Sequence, residues 1–435
     1  MKVYFLRRLL LVPLTLFGIT LLVFMVIRLA PGGPVQRDLQ QMMGAGAGEQ
    51  GAAAGLRELG GAAITPSQLF EIEEKHERDK GVLRSYLEWL GVFPRDVIRQ
   101  AKSFPAGEDT VSIQVPGLTK TVDLVREGDD GVEIVNESGV DIGGWKARVV
   151  GVSELERRWK KHTKGMKVPT DLQARAVLYR SGFEGLLQGS LGRSEKYGDP
   201  VWALVRQRIP ISLFFGLTSM VLIYGICLPL GIVKAIKHRT WLDNVSSVTV
   251  FAGYAIPGYV LGSFLIVFLG ARLDWFPIQG FVSEDFEQLG PGAKILDVLN
   301  HAVMPLACYV VGSFAFMTFM MKNNLMDNLA ADYVRTATAK GVRYSSAVFR
   351  HAFRNSIIPI ATTVGQNITL IVGGSFLIEK IFDINGFGLL QFNAVMEKDE
   401  RVVLGVLTIS ATLMLLGNIL SDLCVALVDP RIRFR

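Results

Sequence analysis

The residues most able to do specific work lie between two apolar stretches, in Asp332-Tyr-Val-Arg-Thr-Ala-Thr-Ala-Lys-Gly341, Val342-Arg-Tyr-Ser-Ser346 and Ala347-Val-Phe-Arg-His-Ala-Phe-Arg-Asn355. The first run has helix formers with an apolar face at Tyr333, Val334 and Ala337. Gly341 is free to adopt φ > 0 and end that helix. Ser345 or Ser346 supplies a cap for a second helix. The expected product is a compact helix–turn–helix with small residues, Thr336, Ala337 and Ala339, on its surface. Small side chains let the groove of another protein approach closely, so the chemistry on offer is docking and not bond-making. A solvated basic loop carrying Arg335, Lys340, Arg350, His351 and Arg354 for topology alone is the other reading, and physics leaves both open.

Signals for catalysis are weak. There is no GxxxxGK[ST] phosphate loop; Gly290-Pro-Gly-Ala-Lys294 lacks the spacing and the following Ser or Thr. The chain is therefore expected to bind no ATP and to be no enzyme. His76, His162, His238, His301 and His351 show no metal spacing. Cys227, Cys308 and Cys424 each lie in an apolar stretch and read as small hydrophobes. No metal and no cofactor is expected on this chain. Uncharged polar residues Tyr224, Tyr254, Gln366, Asn367 and Asn418 fall inside apolar stretches. They suit hydrogen bonds between helices, or a substrate path.

The elements that must position these residues are membrane helices. Half of the 435 residues are apolar, gathered into stretches of about 20 that lack charge. Six such stretches run over Leu9–Ile27, Ile211–Val233, Val245–Gly270, Ala302–Met321, Ile357–Leu377 and Val402–Ser421. The first, after Arg7 and Arg8, reads as a retained span and not a cleaved signal, since no A-x-A pattern follows it. None carries an ionisable residue near its midpoint, which argues against a proton- or sodium-coupled carrier. With the N-terminus inside, segments 1–8, 234–244, 322–356 and 422–435 hold fifteen Lys and Arg. The two short outer loops hold only Arg272, Lys294, Lys380, Lys398 and Arg401. This bias puts both termini in the cytoplasm. The net charge of +6 thus reads as topology and not as nucleic-acid binding. Gly258 and Gly262 form a small-xxx-small pair that permits close helix contact.

Residues 31–205 are then extracytoplasmic. Residues 38–63, rich in Gly and Ala, read as a mobile segment. Helix is expected over 66–100, starting at Thr65-Pro-Ser67 with a stripe at Tyr86, Leu87 and Leu90. Alternation at Val111/Ile113/Val115, Val122/Leu124, Val132/Ile134 and Val149, with Gly-Asp-Asp-Gly and Gly-Gly turns, predicts a small antiparallel sheet over 110–152. Helix is expected again over 153–189. Three domains result: an N-terminal helix (1–30), an extracytoplasmic segment (31–205) with an insertion at about 94–182, and a membrane domain (206–435) carrying the loop 322–358.

The loop resembles the docking loop of ABC importer permeases, with Arg335 at its Glu position, Thr336 and Ala337 at the two Ala positions and Gly341 at its Gly. The substituted Glu and the long gap to Pro359 resemble the dipeptide/oligopeptide/nickel branch. So do Arg28-Leu-Ala-Pro-Gly-Gly33, Ile209-Pro-Ile-Ser212, Pro229-Leu-Gly231, Asn385-Gly-Phe-Gly-Leu-Leu390 and Leu427-Val-Asp-Pro-Arg-Ile432. Ala30-Pro-Gly-Gly-Pro-Val35, Gly253-Tyr-Ala-Ile-Pro257 and Gly374-Ser-Phe-Leu-Ile-Glu379 are most similar to Yej-type peptide permeases, whose relatives take up oligopeptides and microcin C. The sheet-bearing insertion departs from the usual pattern.

The resemblance implies an all-α polytopic protein of the bacterial inner membrane. Its six transmembrane helices would form the ABC type I importer permease fold, with a large extracytoplasmic α+β insertion between helices 1 and 2. It implies a membrane subunit of an ATP-driven peptide importer that forms half of the translocation pathway. The implied partners are a second homologous permease, two ABC ATPase subunits or one double ATPase that uses the ATP, and a periplasmic binding protein. Asp332, Tyr333, Arg335, Thr336, Ala337, Lys340, Gly341, Arg350, His351 and Arg354 would form the coupling loop, and the five polar residues the pathway. A nickel or other small-solute permease, a secondary transporter and a non-transporting scaffold are the alternatives.

Overall fold

An uninterrupted apolar run forms the first helix, α1 (Lys2–Leu29), which tolerates Pro13 in its interior. The computed structural model describes residues 2–30, 33–44, 65–128, 131–136, 142–163, 167–373 and 375–428. They fall into two compact units, Leu21–Gly192 and Met1–Thr20 with Arg193–Arg435. Most of the segment expected to be mobile, from residue 45 on, lies outside the described residues. So do Pro31, Gly32, Asp129, Asp130 and Gly374 of the quoted motifs, and the C-terminal arginines.

The Leu21–Gly192 unit holds α2 (Pro34–Gly44), α3 (Pro66–Lys75), α4 (Val82–Leu90) and α5 (Val152–His162). Its strands are β1 (Arg95–Ser103), β2 (Thr110–Gln114), β3 (Thr121–Glu127), β4 (Gly131–Val135), β5 (Trp145–Val150) and β6 (Arg175–Gly182). Thr65 starts α3 as expected. Its hydroxyl accepts the Gln68 N–H, the Gln68 side chain accepts the Thr65 N–H, and Pro66 fills the first turn. Gly91, at φ 88°, ends α4.

The expected helix over 66–100 is instead two short helices, α3 and α4, separated by residues 76–81, and it gives way to β1 after Leu90. The single expected sheet is two antiparallel three-stranded sheets, ordered β1-β6-β5 and β2-β3-β4. Within the stretch expected to be helical over 153–189, only α5 is an α-helix. The rest contains β6, whose apolar run Ala176-Val-Leu178 buries both faces and so shows no alternation. Ala176 and Leu178 join a core with Val111, Ile113, Val122 and Leu124. Val177 joins another with Leu69, Phe70, Leu155 and Trp159. Beside these cores, Arg175 and Arg158 face Glu74, and His162 faces Glu73. Burial raises the Glu74 carboxyl above its ordinary range, against the pull of Arg175.

The other unit is helical: α6 (Val201–Ile236), α7 (Trp241–Ala255), α8 (Gly258–Leu265), α9 (Pro291–Ala330), α10 (Asp332–Ala339), α11 (Tyr344–Ala347), α12 (Phe353–Ser356), α13 (Ile358–Gly373), α14 (Phe376–Ile381), α15 (Phe387–Met396) and α16 (Glu400–Val428). Among the described residues, α1, α6, α9 and α16 are long and apolar enough to cross a membrane. The third expected span is not one straight helix. It breaks by 90° between α7 and the helical segment Gly258–Arg272. Pro257 is the cause: it donates no N–H and holds Ile256 in an extended conformation, φ −92° and ψ 117°. The fifth expected span, Ile357–Leu377, is also shorter. Its 16-residue α13 measures about 24 Å at about 1.5 Å per residue, less than a hydrocarbon core of about 30 Å.

Small residues set the closest helix contacts. A methyl group on Gly258 would lie 2.8 Å from the Cys308 carbonyl oxygen, and one on Gly262 would lie 3.0 Å from the Phe382 ring. Gly258 thus lets α8 lie close on α9, as the spacing predicts, and Gly262 makes room for the Phe382 ring beside Cys308. Gly365 and Gly417 play the same part between α13 and α16.

Candidate functional site

The segment 331–357 folds as the expected helical hairpin. Its first helix, α10, ends in a Schellman motif, in which the Gly341 N–H donates to the Thr338 carbonyl and the Val342 N–H to that of Ala337. Gly341 has φ 85° and no neighbour where a side chain would point, so backbone conformation alone selects glycine. The second arm is capped two residues before Ser345, the nearer of the two expected caps. Arg343 takes the cap position with no side-chain bond, and Tyr344 opens α11. A π-helical turn, Val348–Ala352, then leads into α12.

One face of the hairpin is buried and the other is open. Val334 (3% exposed), Ala347 and Ala352 join a core with Met321 and Leu325 of α9. Burying Val334 contributes on the order of 1.5–3 kcal/mol. Asp332, Tyr333, Arg335, Thr336, Lys340, Gly341, Arg350 and Arg354 are exposed, whereas Ala337 and His351 are half-buried. Arg335 stands 3.8 Å from Asp332 on the same turn, an exposed pair that leaves both heads in water. The open face therefore presents small residues and basic side chains, which suits a groove with acidic edges.

Polar bonds fix the hairpin to α9. The Tyr333 hydroxyl donates to the Asn328 side-chain oxygen, and Asn355 Nδ2 donates to the Tyr333 hydroxyl. The Ser356 hydroxyl donates to the Asn324 carbonyl. Sequence reasoning named Tyr333 and missed Asn328, Asn355 and Ser356. The available signal was three polar, uncharged side chains flanking an apolar stretch.

The five polar residues of the apolar stretches do not form one set. Tyr224 of α6 shares a 2.8 Å hydrogen bond with Thr363, and Asn367 Nδ2 donates to the Tyr224 hydroxyl at 2.8 Å. These bonds join α6 to α13. Tyr254 is exposed on α7, and Asn418 is half-buried on α16. Gln366 belongs to α13, with its side chain outside the described residues.

Three motif segments meet at the start of α15. The Phe387 N–H donates to the Ser212 hydroxyl at 2.8 Å, and the Leu389 N–H donates to Glu379 Oε2 at 2.6 Å. Glu379 is 2% exposed. Burial pushes its carboxyl up to about 7, and the N–H groups of Leu389 and Gly388 hold it down against that. Gly386 leaves the room: a methyl group there would overlap the Glu379 carboxylate. No group of His, Cys, Asp and Glu suited to a metal ion occurs among the described residues.

Several long apolar helices joined to a helical hairpin with an open basic face are the architecture of a polytopic membrane protein. Residues 227–434 match the family model of the binding-protein-dependent transport system inner membrane component. The chain is 30% identical over 437 residues to the "Peptidoglycan transport system permease protein YejB" of Agrobacterium fabrum, covering 100% of this chain and 99% of that relative. It is 34% identical over 259 residues to the "Oligopeptide transport system permease protein AppB" of Bacillus subtilis, covering 59% of this chain and 80% of that relative. It is 40% identical over 237 residues to the "Inner membrane ABC transporter permease protein YejB" of Escherichia coli O157:H7, a match that spans 54% of this chain and 65% of that relative. Among solved structures, one of the MetNI methionine ABC transporter in an inward-facing conformation matches with a TM-score of 0.42 at 16% identity, over 52% of this chain and 97% of that one. The chain belongs to the family of binding-protein-dependent transport system inner membrane components.

Proposed function

We propose that this chain is one of two membrane subunits of an ATP-driven peptide importer in the bacterial inner membrane. It has six spans, counting the bent pair α7–α8 and the short α13 as one each, with both termini in the cytoplasm. It forms half of the translocation pathway, and the other half comes from a second, homologous permease. ATP is bound and hydrolysed by two ATPase subunits or one double ATPase, and a periplasmic binding protein delivers the peptide. The hairpin is the coupling loop, with Asp332, Tyr333, Arg335, Thr336, Ala337, Lys340, Gly341, Arg350, His351 and Arg354 on or beside the docking face. Alternating access follows: ATP closes the ATPase pair, the hairpin moves with it, and the helices rock to accept peptide.

The observation that carries this reading is the hairpin itself, which is anchored to α9 on one face and open on the other within a permease of this family. Tyr224 and Asn367 are structural ties between α6 and α13 in this scheme, which leaves Tyr254, Gln366 and Asn418 as the candidates for the path. The reading is tested by following a radiolabelled tripeptide into cells that lack either this chain or the ATPase. Uptake should be lost in both strains; uptake that persists without the ATPase excludes the ATP-driven mechanism.

One observation favours a more specific cargo. The full-length relative, matched through the insertion, is named for peptidoglycan transport. Peptides released from the cell wall are therefore a second reading, tested by competition between wall-derived muropeptides and plain tripeptides. The insertion at about 94–182 would enlarge the platform for the binding protein. Unchanged binding-protein affinity after loss of the β2-β3-β4 sheet would remove that role.

A further inference from the structure

Three charged side chains from three helices meet at one end of the apolar bundle. Lys322 of α9 donates from Nζ to Oδ1 and Oδ2 of Asp243, in the first turn of α7, at 2.7 and 2.8 Å. Lys234, near the end of α6, stands 3.2 Å from the same carboxylate. Its ammonium also donates to the Asp243 carbonyl at 2.9 Å and to the Ser246 and Ser247 hydroxyls at 2.8 and 2.7 Å. The Arg239 N–H donates to Oδ2, and His238 Nδ1 lies 3.2 Å from it. The Phe319 ring lies near both ammonium groups. Lys234 is 0% exposed and Asp243 2%.

Burying charge is expensive, and a buried ion pair is a poor source of stability compared with apolar packing of the same volume. Its better-attested use is to fix how elements register. Here one carboxylate answers two cations, so losing it strands both ammonium groups inside the bundle. The contact is also stiff. A methyl group on Gly231, one turn before Lys234, would lie 2.7 Å from Met321 Cβ and 2.8 Å from the Thr318 carbonyl oxygen. Helices α6 and α9 therefore have no slack beside the cluster.

The position of Lys322 along α9 matters as much as its bonds. Asn324, Leu325 and Asn328, which bind the hairpin, lie within two turns of it on the same uninterrupted helix. A push on the hairpin thus reaches Lys322 through rigid helix, and Asp243 passes it to α7 and α6.

We propose that Asp243 is a positioning residue for transport, locking α6, α7 and α9 together so that movement of the hairpin displaces all three. This rests on the reading of the hairpin as the element that docks on an ATPase. The test uses the complex purified through a tag on this chain and reconstituted in liposomes. ATP hydrolysis is measured with and without the binding protein loaded from a tryptic casein digest. Asp243→Asn should lose about tenfold of the stimulated rate, with basal hydrolysis and ATPase co-purification unchanged, and Asp243→Glu should recover most of it. The triple variant Lys234→Met/Asp243→Leu/Lys322→Met replaces the cluster with apolar packing. It should insert normally and still be uncoupled. Full stimulation in either Asp243→Asn or the triple variant overturns the proposal. So does failure of both to insert, which would make the cluster a folding element. No stimulation in the wild type would instead count against the importer reading itself.

Discussion

Asn355 donates from Nδ2 to the Tyr333 hydroxyl at 3.1 Å, and that hydroxyl donates to Asn328 Oδ1 at 2.5 Å. One phenol therefore joins both arms of the hairpin to α9. Tyr333→Phe removes both bonds and keeps the ring. Each bond contributes about 0.5–1.5 kcal/mol. Both are exposed, so at the weak end of that range the two together give about 1 kcal/mol, and the hairpin should open at least about fivefold more often. Limited trypsin cleavage at Arg335, Lys340 and Arg343 measures this directly and should speed up by about that factor. An unchanged cleavage rate would show that the apolar face alone holds the hairpin.

Gly341 tests the turn. A β-branched residue at φ 85° is strained by at least about 1–2 kcal/mol, although nothing crowds the site. Gly341→Val should abolish peptide-stimulated ATP hydrolysis while the protein still inserts. Gly341→Asn, which tolerates that conformation, should retain most of it. Equal activity in the two variants would remove the backbone argument.

Gly365 tests helix packing. A methyl group there would overlap the Gly417 carbonyl oxygen and the Ser421 side chain. Gly365→Ala should destabilise the detergent-solubilised protein by about 1–3 kcal/mol or more. A thermal-unfolding midpoint that stays put would show that α13 and α16 shift apart freely.

Glu379 makes a pH prediction. Its folded carboxyl sits at about 7, above the ordinary range for an exposed glutamate. The folded protein therefore binds the proton more tightly than the unfolded chain does. The stability this provides is full below about pH 4.5, is lost as pH rises from there through about 7, and changes little beyond. The unfolding midpoint of the wild type, taken relative to Glu379→Gln, should fall between about pH 5 and 7. A difference that rises with pH would mean that the N–H groups of Leu389 and Gly388 outweigh burial.

Local signals carried much of the fold. Thr65-Pro66, Gly341 and the Gly258/Gly262 pair each do what their chemistry predicts, because caps, positive φ and close approach are decided within a few residues. Elements shaped by distant partners were harder to read. Strand β6 hides its alternation by burying both faces, and β1, Arg95-Asp-Val-Ile-Arg-Gln-Ala-Lys-Ser103, holds charges whose partners, among them Asp79 and Glu184, lie elsewhere in the chain. Lys234 and Lys322 flank apolar stretches and were counted towards topology. Only the folded chain brings Asp243 between them, 9 and 79 residues away in sequence. The open face of the hairpin was legible as residue types, but its anchors at Asn328 and Asn355 were not, because their spacing follows from the angle between two helices.

The two-sided burial of β6 also governs how the Leu21–Gly192 unit comes apart. The strand is hydrogen-bonded along both edges, to β1 and to β5, and it supplies Val177 to one core and Leu178 to the other. β6 cannot leave while either core stays in place, so opening of the strand requires both cores to open together. The amides of Val177 and Leu178 should then exchange with solvent deuterium only when the whole unit opens, at a common rate and later than any amide of α4 or β4.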